Sequence, residues 1–278
     1  MTASSLTVVL PAFNEEARLG VALDELFGYL RRRGAAGRDG APGPQMLPPA
    51  IDVLIVDDGS TDRTAQIVRE RPEFGPEGTP SLGLLQVEHG GKGAAVRAGM
   101  LAATGEVVVF ADADMATPPD QLPLLVLALN DADVALGSRI QPDGRDMRRS
   151  QPVYRRLLGR GFHLLASAWV NGPVRDTQCG FKGFRGPVAR DLFARQRIRS
   201  IVFDVELIYL ARRRGYRTAI VPIQWSDKHG SRMRMRTGLA LQVAWDLFRI
   251  PLIHRSVRPR AESTGREPIA EESDAPPG

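Results

Sequence analysis

Ile51-Asp52-Val53-Leu54-Ile55-Val56-Asp57-Asp58-Gly59-Ser60-Thr61-Asp62 passes from a branched apolar run straight into a turn rich in carboxylates. Ile51–Val56 has the length and hydrophobicity of a strand buried on both faces. Asp-Asp-Gly-Ser is turn chemistry at the mouth of a helix. The same passage recurs along the chain. Leu6–Leu10 runs into Pro11-Ala12-Phe13-Asn14-Glu15, and Val107–Phe110 into Ala111-Asp112-Ala113-Asp114. Leu84–Val87 precedes Gly90-Gly91-Lys92-Gly93, and Val134–Leu136 precedes Gly137-Ser138-Arg139. Between these strands, helical spacing predicts helices over about 15–33 (capped by Asn14), 93–104 and 118–129. Alternating strands and helices with doubly buried strands mean an α/β fold with a mostly parallel sheet and helices on both faces. Ligands of such sheets sit beyond the carboxyl ends of the strands, where the clusters Pro11–Glu15, Asp57–Asp62, Asp112–Asp114 and Gly137–Arg139 fall.

The second half is less regular. A helix is expected over Val153–Trp169, a turn-rich segment over Asp176–Phe184, and a helix over Phe203–Arg214. Thr218–Val221 reads as a strand and Gly238–Ile250 as a helix. Residues 256–278 lack periodicity and are expected to be disordered. The expected organisation is one domain over 1–255, with a donor half (1–138), an acceptor half (139–255) and that tail.

At 278 residues, a compact fold buries about three quarters of its unfolded surface without staples. The single cysteine, Cys179, excludes an internal disulfide and a multi-cysteine zinc site. No run approaches the roughly 18 apolar residues of a spanning helix, and the first residues lack the features of a signal peptide. The net charge of +5 is unevenly spread: residues 1–138 carry −9 and residues 139–278 carry +14. That polarity suits a cation site in the first half and an anion, or an anionic surface, in the second. No motif or aromatic-interleaved basic patch supports nucleic-acid binding.

Asp112 and Asp114, two apart at a strand end, share a face. In a poorly solvated cleft they repel, and Mg2+ or Mn2+ would relieve the conflict while leaving positions for phosphate oxygens. Asp57 and Asp58 could accept from a base or ribose, or serve the turn. Gly90-Gly91-Lys92-Gly93 opens a helix where backbone N–H groups and a lysine favour an anion. The spacing is not that of a P-loop, and no Gly-x-Gly-x-x-Gly follows the first strand.

The ordered set Leu10–Glu15, Val56–Asp62, Gly91–Gly93 with Ala95-Val96-Arg97, Ala111–Asp114 and Gly137–Arg139 resembles the family 2 glycosyltransferases of GT-A fold. Asp176-Thr177-Gln178-Cys179-Gly180-Phe181-Lys182 and Phe203-Asp204-Val205-Glu206 look like the branch that makes dolichyl- or polyprenyl-phosphate sugars, nearest the dolichyl-phosphate β-glucosyltransferases. The resemblance implies that Pro11, Ala12 and Glu15 line the nucleotide pocket, that Asp57 contacts the base, and that Lys92 and Asp112 lie beside the nucleotide. It makes Asp114 the main metal ligand. It gives Arg139 and Arg155 the acceptor phosphate, Gln178 and Glu206 the sugar, and Trp225 with His229-Gly230-Ser231-Arg232 a closing role. His89 stands where Asn or Arg is commoner.

The implied reaction is inverting, metal-dependent transfer of a hexose from a nucleotide-diphosphate sugar to a polyprenyl phosphate. UDP-glucose is the favoured donor and GDP-mannose the other. A cytoplasmic location is expected, with peripheral contact at the inner face of the cell membrane through the basic half and the Leu239–Ile250 helix, or core packing of that helix. One rival reading keeps the fold and uses a hydroxyl acceptor, with Glu206 or Asp204 as the base. The other is a non-catalytic nucleotide-sugar binding protein.

Overall fold

The computed structural model describes residues 3–32, 43, 46–77, 80–147, 176–226 and 237–260. Its centre is one seven-stranded sheet: β1 (Ser5–Ala12), β2 (Ala50–Asp57), β3 (Ser81–Gln86), β4 (Val107–Ala111), β5 (Val134–Ser138), β6 (Phe181–Arg185) and β7 (Thr218–Pro222). The spatial order is β3-β2-β1-β4-β6-β5-β7. β6 runs antiparallel to its neighbours β4 and β5, and the other pairs are parallel. The helices are α1 (Leu19–Leu30), α2 (Thr64–Arg69), α3 (Lys92–Ala102), α4 (Leu122–Ala128), α5 (Gly186–Arg195), α6 (Phe203–Arg214) and α7 (Thr237–Ile253).

Alternation along β1 explains the layers. Leu6, Val8 and Leu10 join one buried cluster with Leu19, Leu23, Leu26 and Phe27 of α1 and Leu122 and Leu125 of α4. Val9 faces the other way, into a cluster with Val96 and Met100 of α3, Leu192 and Phe193 of α5 and Phe203 and Leu207 of α6. Strands covered on both faces must be apolar on both faces, as the sequence pattern required. At Gly99 a Cβ would come within 2.4 Å of Val9 and 2.5 Å of Val56, so glycine lets α3 lie flat on the sheet. The chain winds outward from β1 to β2 and β3, then crosses to β4 on the other side of β1. That reversal is the switch point at which sheets of this class open a ligand crevice.

The structure differs from expectation in several places. α1 begins at Leu19, because residues 15–18 form a turn in which Arg18 and Leu19 donate to the Glu15 carbonyl. Asn14 does not cap it; its Oδ1 accepts from the Thr61 N–H at 2.8 Å instead. The expected 118–129 helix is a short 3-10 turn at Pro119–Gln121 followed by α4. Half of the turn-rich 176–184 segment is β6, and α5 follows it unforeseen. Residues 256–260, expected to be disordered, are tied down: Arg213 donates to the carbonyls of Arg255 and Val257, and Arg214 to that of Arg258. The helix expected at 153–169 lies outside the described residues. Among the described residues, no helix is long and apolar enough to cross a membrane.

Candidate active site

The ends of β1, β2 and β4 converge, and the loops leaving them are cross-braced. The Asn14 N–H donates to Ser60 Oγ at 2.9 Å and the Glu15 N–H to Thr64 Oγ1 at 2.8 Å. Asn14 and Met115 both carry positive φ, at 54° and 50°. Two non-glycine residues in this costly region flank the β1 and β4 ends, a placement typical of functional clefts. Pro11 and Ala12 end β1 here. Asp57 is fully buried, accepting from the Ser60 N–H at 2.9 Å and from Gln86 Nε2 at 3.0 Å.

The glycine turn is already filled by an anion of the protein's own. Asp58 accepts from the Gly90 N–H at 2.8 Å and the Gly91 N–H at 2.9 Å, and the Gly93 N–H donates to the Arg199 carbonyl at 2.9 Å. The backbone cradle expected to hold a ligand phosphate is thus committed within the fold, and Lys92 is the cation the turn presents. His89 Nδ1 lies 3.0 Å from the Asp58 carbonyl and 2.9 Å from its carboxylate, and the ring stacks on Phe13 at 4.3 Å. With two acceptors facing it, Nδ1 carries the proton.

Lys92 Nζ donates to Asp112 Oδ1 at 2.5 Å. Burial works against the lysine charge, but Asp112 and Asp204 outweigh it and hold Lys92 above its ordinary range. Asp114 lies at the other side. Its Oδ1 accepts from the Ala116 N–H at 3.1 Å, and burial together with the neighbouring Asp112 charge pushes its pKa up. The local charge is therefore under-compensated at Asp114, and a divalent cation is the group that fits. Among the described residues no three His, Cys, Asp or Glu side chains gather as a complete ligand set. A cation here would need ligand oxygens from a bound substrate. Arg18, which sequence reasoning missed, faces the same carboxylate. Its Nε and Nη2 donate to Glu15 at 2.8 and 2.7 Å, while Nη1 is buried without a hydrogen-bond partner, 3.9 Å from Asp114 Oδ2. An arginine three residues after Glu15, at a strand end, was the available signal.

The second half closes onto this centre. The Arg139 N–H and Nε donate to Asp176 Oδ2 at 2.8 and 2.9 Å, and Nη2 donates to Oδ1 at 2.7 Å. Burial opposes the Arg139 charge, but Asp176 secures it. The guanidinium lies 5.6 Å from the Trp225 ring. Trp225 is carried by a segment pinned beside the Asp114 turn, with the Ser226 N–H donating to the Ala116 carbonyl at 2.9 Å. Gln178 is half-buried on the turn between Asp176 and β6. In that turn a Cβ on Gly180 would sit 2.2 Å from Asp112 Oδ2. Beneath the turn, the fully buried Lys182 donates to the Cys179 carbonyl and to Asp204, each at 2.5 Å. The Cys179 thiol is pushed up to about 12 by burial and Asp176, so it is no nucleophile.

Glu206 is not brought to this cluster's surface. It is 0% exposed, accepting from the N–H groups of Arg197 and Ile198 at 2.8 and 2.9 Å and lying 2.6 Å from His254 Nε2. Asp204 is equally committed, to Lys182. Arg155, His229, Gly230, Ser231 and Arg232 lie outside the described residues.

The family model described as glycosyl transferase family 2 matches residues 7–193, which span β1 to α5 and both carboxylates of the centre. The chain belongs to glycosyl transferase family 2. This family 2 chain is 36% identical to a dolichyl-phosphate β-glucosyltransferase of Trichomonas vaginalis, covering 90% of this chain and 72% of the relative. It is 36% identical to the enzyme of that name from Drosophila melanogaster, over 88% and 74% of the two chains. To the one from Homo sapiens it is 33% identical, over 93% and 78%. Among solved structures it superposes on glucosyl-3-phosphoglycerate synthase of Mycobacterium tuberculosis with a TM-score of 0.57. That match covers 92% of this chain and 82% of the other at 19% identity, a likeness of fold. The synthase was solved in complex with Mn2+ and UDP-glucose.

Proposed function

We propose that this family 2 glycosyltransferase moves glucose from UDP-glucose to a polyprenyl phosphate of the dolichyl type, with inversion at the anomeric carbon. The observation that carries the reading is one cleft with two cationic sides. Lys92 and Arg18 flank the Asp112/Asp114 pair, and Arg139, under Trp225, lies near enough from the second half to feel the Asp112 charge. The identity to dolichyl-phosphate β-glucosyltransferases over nearly the whole chain supports glucose and the lipid phosphate as substrates.

Pro11, Ala12 and Glu15 would receive the nucleoside across the ends of β1 and β2, while Asp57, fully buried and bonded to Ser60 and Gln86, would brace the turn behind them. Lys92 and the Nη1 of Arg18 would face the diphosphate. Asp114, with Asp112 beside it, would hold a divalent cation, Mg2+ or Mn2+, which when bound offsets the charge that grows on the departing diphosphate. A phosphate oxygen of the acceptor forms the new bond to the anomeric carbon as the bond to the diphosphate breaks, and the electron pair leaves with UDP. Asp176 takes Nε and Nη2 of Arg139 and so fixes the plane of the guanidinium. None of those bonds uses Nη1, which is the donor left for the acceptor phosphate.

The acceptor is already an anion near neutral pH and needs no strong base. A hydroxyl acceptor would need one, and both candidates, Glu206 and Asp204, are buried and hydrogen-bonded elsewhere. That observation favours the phosphate acceptor. A donor-by-acceptor screen with radiolabelled UDP-glucose and GDP-mannose, extracted into organic solvent, tests the reading. Label from UDP-glucose should enter the organic phase only with polyprenyl phosphate present. Label retained on a water-soluble sugar acceptor would overturn it.

A further inference from the structure

α7 is apolar on two sides. Leu247 and Ile250 are buried in the cluster formed with α6, as surface-helix amphipathicity demands. On the outward side, Trp245, Phe248 and Leu252 follow at i, i+3 and i+7 and are 60%, 48% and 54% exposed. The Trp245 and Phe248 rings stack with centroids 6.0 Å apart. They form one outward stripe, where a helix facing only water would be polar.

Along α7 and the described segment that follows it, exposed charge is of one sign. Between residues 237 and 260 the sole acidic side chain is Asp246. It is buried, taken by Ser200 Oγ at 2.6 Å and by Arg249 at 2.9 Å. Arg249 borders the stripe, and Arg255, Arg258 and Arg260 are exposed just past the helix end. The bonds from Arg213 and Arg214 to the backbone of 255–258 fix that basic segment beside α6 and α7.

We propose that this face of α7 docks on the surface of an anionic lipid bilayer. The proposal rests on the lipid-phosphate reading above, which requires the enzyme to meet a substrate whose hydrocarbon lies in a membrane. An indole and a phenyl ring with a leucine one turn on suit the boundary between headgroups and acyl chains, and flanking arginines suit anionic headgroups. Trp is the residue type most at home at that depth. Docking this way leaves α7 parallel to the bilayer plane, consistent with a helix too short to cross it.

Vesicle flotation of the whole chain tests this, with phosphatidylcholine alone and with phosphatidylcholine plus phosphatidylglycerol. The wild type should float with the anionic vesicles, less so at high salt and less with phosphatidylcholine alone. Trp245→Glu and Leu252→Glu should each lower the partition coefficient on the order of tenfold or more. Both should keep the wild-type rate on a short-chain polyprenyl phosphate dispersed in detergent. Should either variant fail to fold, brominated lipid read by fluorescence replaces it: quenching should occur in the wild type and shrink in Trp245→Phe. Wild-type protein that stays at the bottom of the gradient with anionic vesicles overturns the proposal. So does flotation unchanged by both Glu variants, or a dimer in sedimentation that Trp245→Glu dissolves. Absence of any transfer in detergent would instead strike the lipid-phosphate reading, since that assay contains no bilayer.

Discussion

Asp114 is the residue at which the electrostatics of the cleft are left open. Its neighbour Asp112 is matched by Lys92, whereas Asp114 has one backbone donor and an arginine nitrogen 3.9 Å away. Replacing it with Asn keeps the shape and removes the charge that recruits a cation. Turnover should fall by about 100-fold or more, the several kcal/mol that a metal supplies to a departing phosphate. Calorimetry with UDP-glucose in Mn2+ should show the matching loss of metal-dependent binding, and undiminished turnover in chelator-treated buffer would refute the assignment. Arg18 makes a second test. Arg18→Met should weaken UDP-glucose binding by roughly 1.5–3 kcal/mol, the worth of a hydrogen bond to a charged group. It should leave uridine binding unchanged, and Arg18→Lys should recover part of the loss. Equal losses for uridine and UDP-glucose would place Arg18 at the base instead. The strand-end carboxylates, Lys92 and Arg139 were legible in the sequence because each stands next to an apolar run that declares a strand. The partners were not. That Asp58 fills the glycine turn, or that Asp176 takes the fork of Arg139, depends on contacts 32 and 37 residues apart in sequence, which local pattern does not encode.

Elements carry the site through close approaches that only glycine allows. Gly99 lets α3 touch the sheet, and Gly180 lets the turn before β6 lie against Asp112. Two alanine variants should therefore part company. Gly99→Ala drives a methyl into Val9 and Val56 in a packed core and should cost about 1–3 kcal/mol in denaturant unfolding, with kinetics near wild type. Gly180→Ala should displace the Asp112 carboxylate and reduce turnover while changing stability less. A Gly180→Ala enzyme with full activity would mean that the turn yields freely. The parallel strands were readable because burial on both faces leaves an apolar run. β6 was not: its Phe-Lys-Gly-Phe-Arg sequence places a lysine in the core, and that lysine is tolerable only because Asp204, from α6, meets it. Such a strand has no signature until its partner helix is known. α5 follows it with Gly186 and Pro187 at its start, residues that read as a loop until the helix is seen to use proline in its first turn.

Three elements are tied together at one buried carboxylate. Glu206, near the start of α6, binds the backbone of Arg197 and Ile198, and His254, just past the end of α7, lies against the same carboxylate at 2.6 Å. One residue beyond that loop, the Arg199 carbonyl accepts from the Gly93 N–H at the start of α3, beside Lys92. The carboxylate thus joins α7 to the donor side of the cleft through α6 and a single loop. Glu206→Gln retains the volume but offers one good acceptor where three donors converge, and it leaves His254 facing an amide. Breaking a buried, hydrogen-bonded pair from one side is strongly destabilising, so the midpoint of unfolding should drop by several degrees, the response to a loss of about 2–4 kcal/mol. Residual turnover measured well below that midpoint should stay within about tenfold of wild type, because the carboxylate touches no reacting atom. His254→Gln should destabilise less, since Glu206 keeps its two backbone donors. The same variant discriminates the two acceptor chemistries. Were Glu206 the base for a hydroxyl acceptor, Gln would abolish turnover and spare the melting curve. Circular-dichroism melting and steady-state rates on one preparation of Glu206→Gln read both quantities together, and a dead enzyme with a wild-type melt would reverse the structural assignment of Glu206.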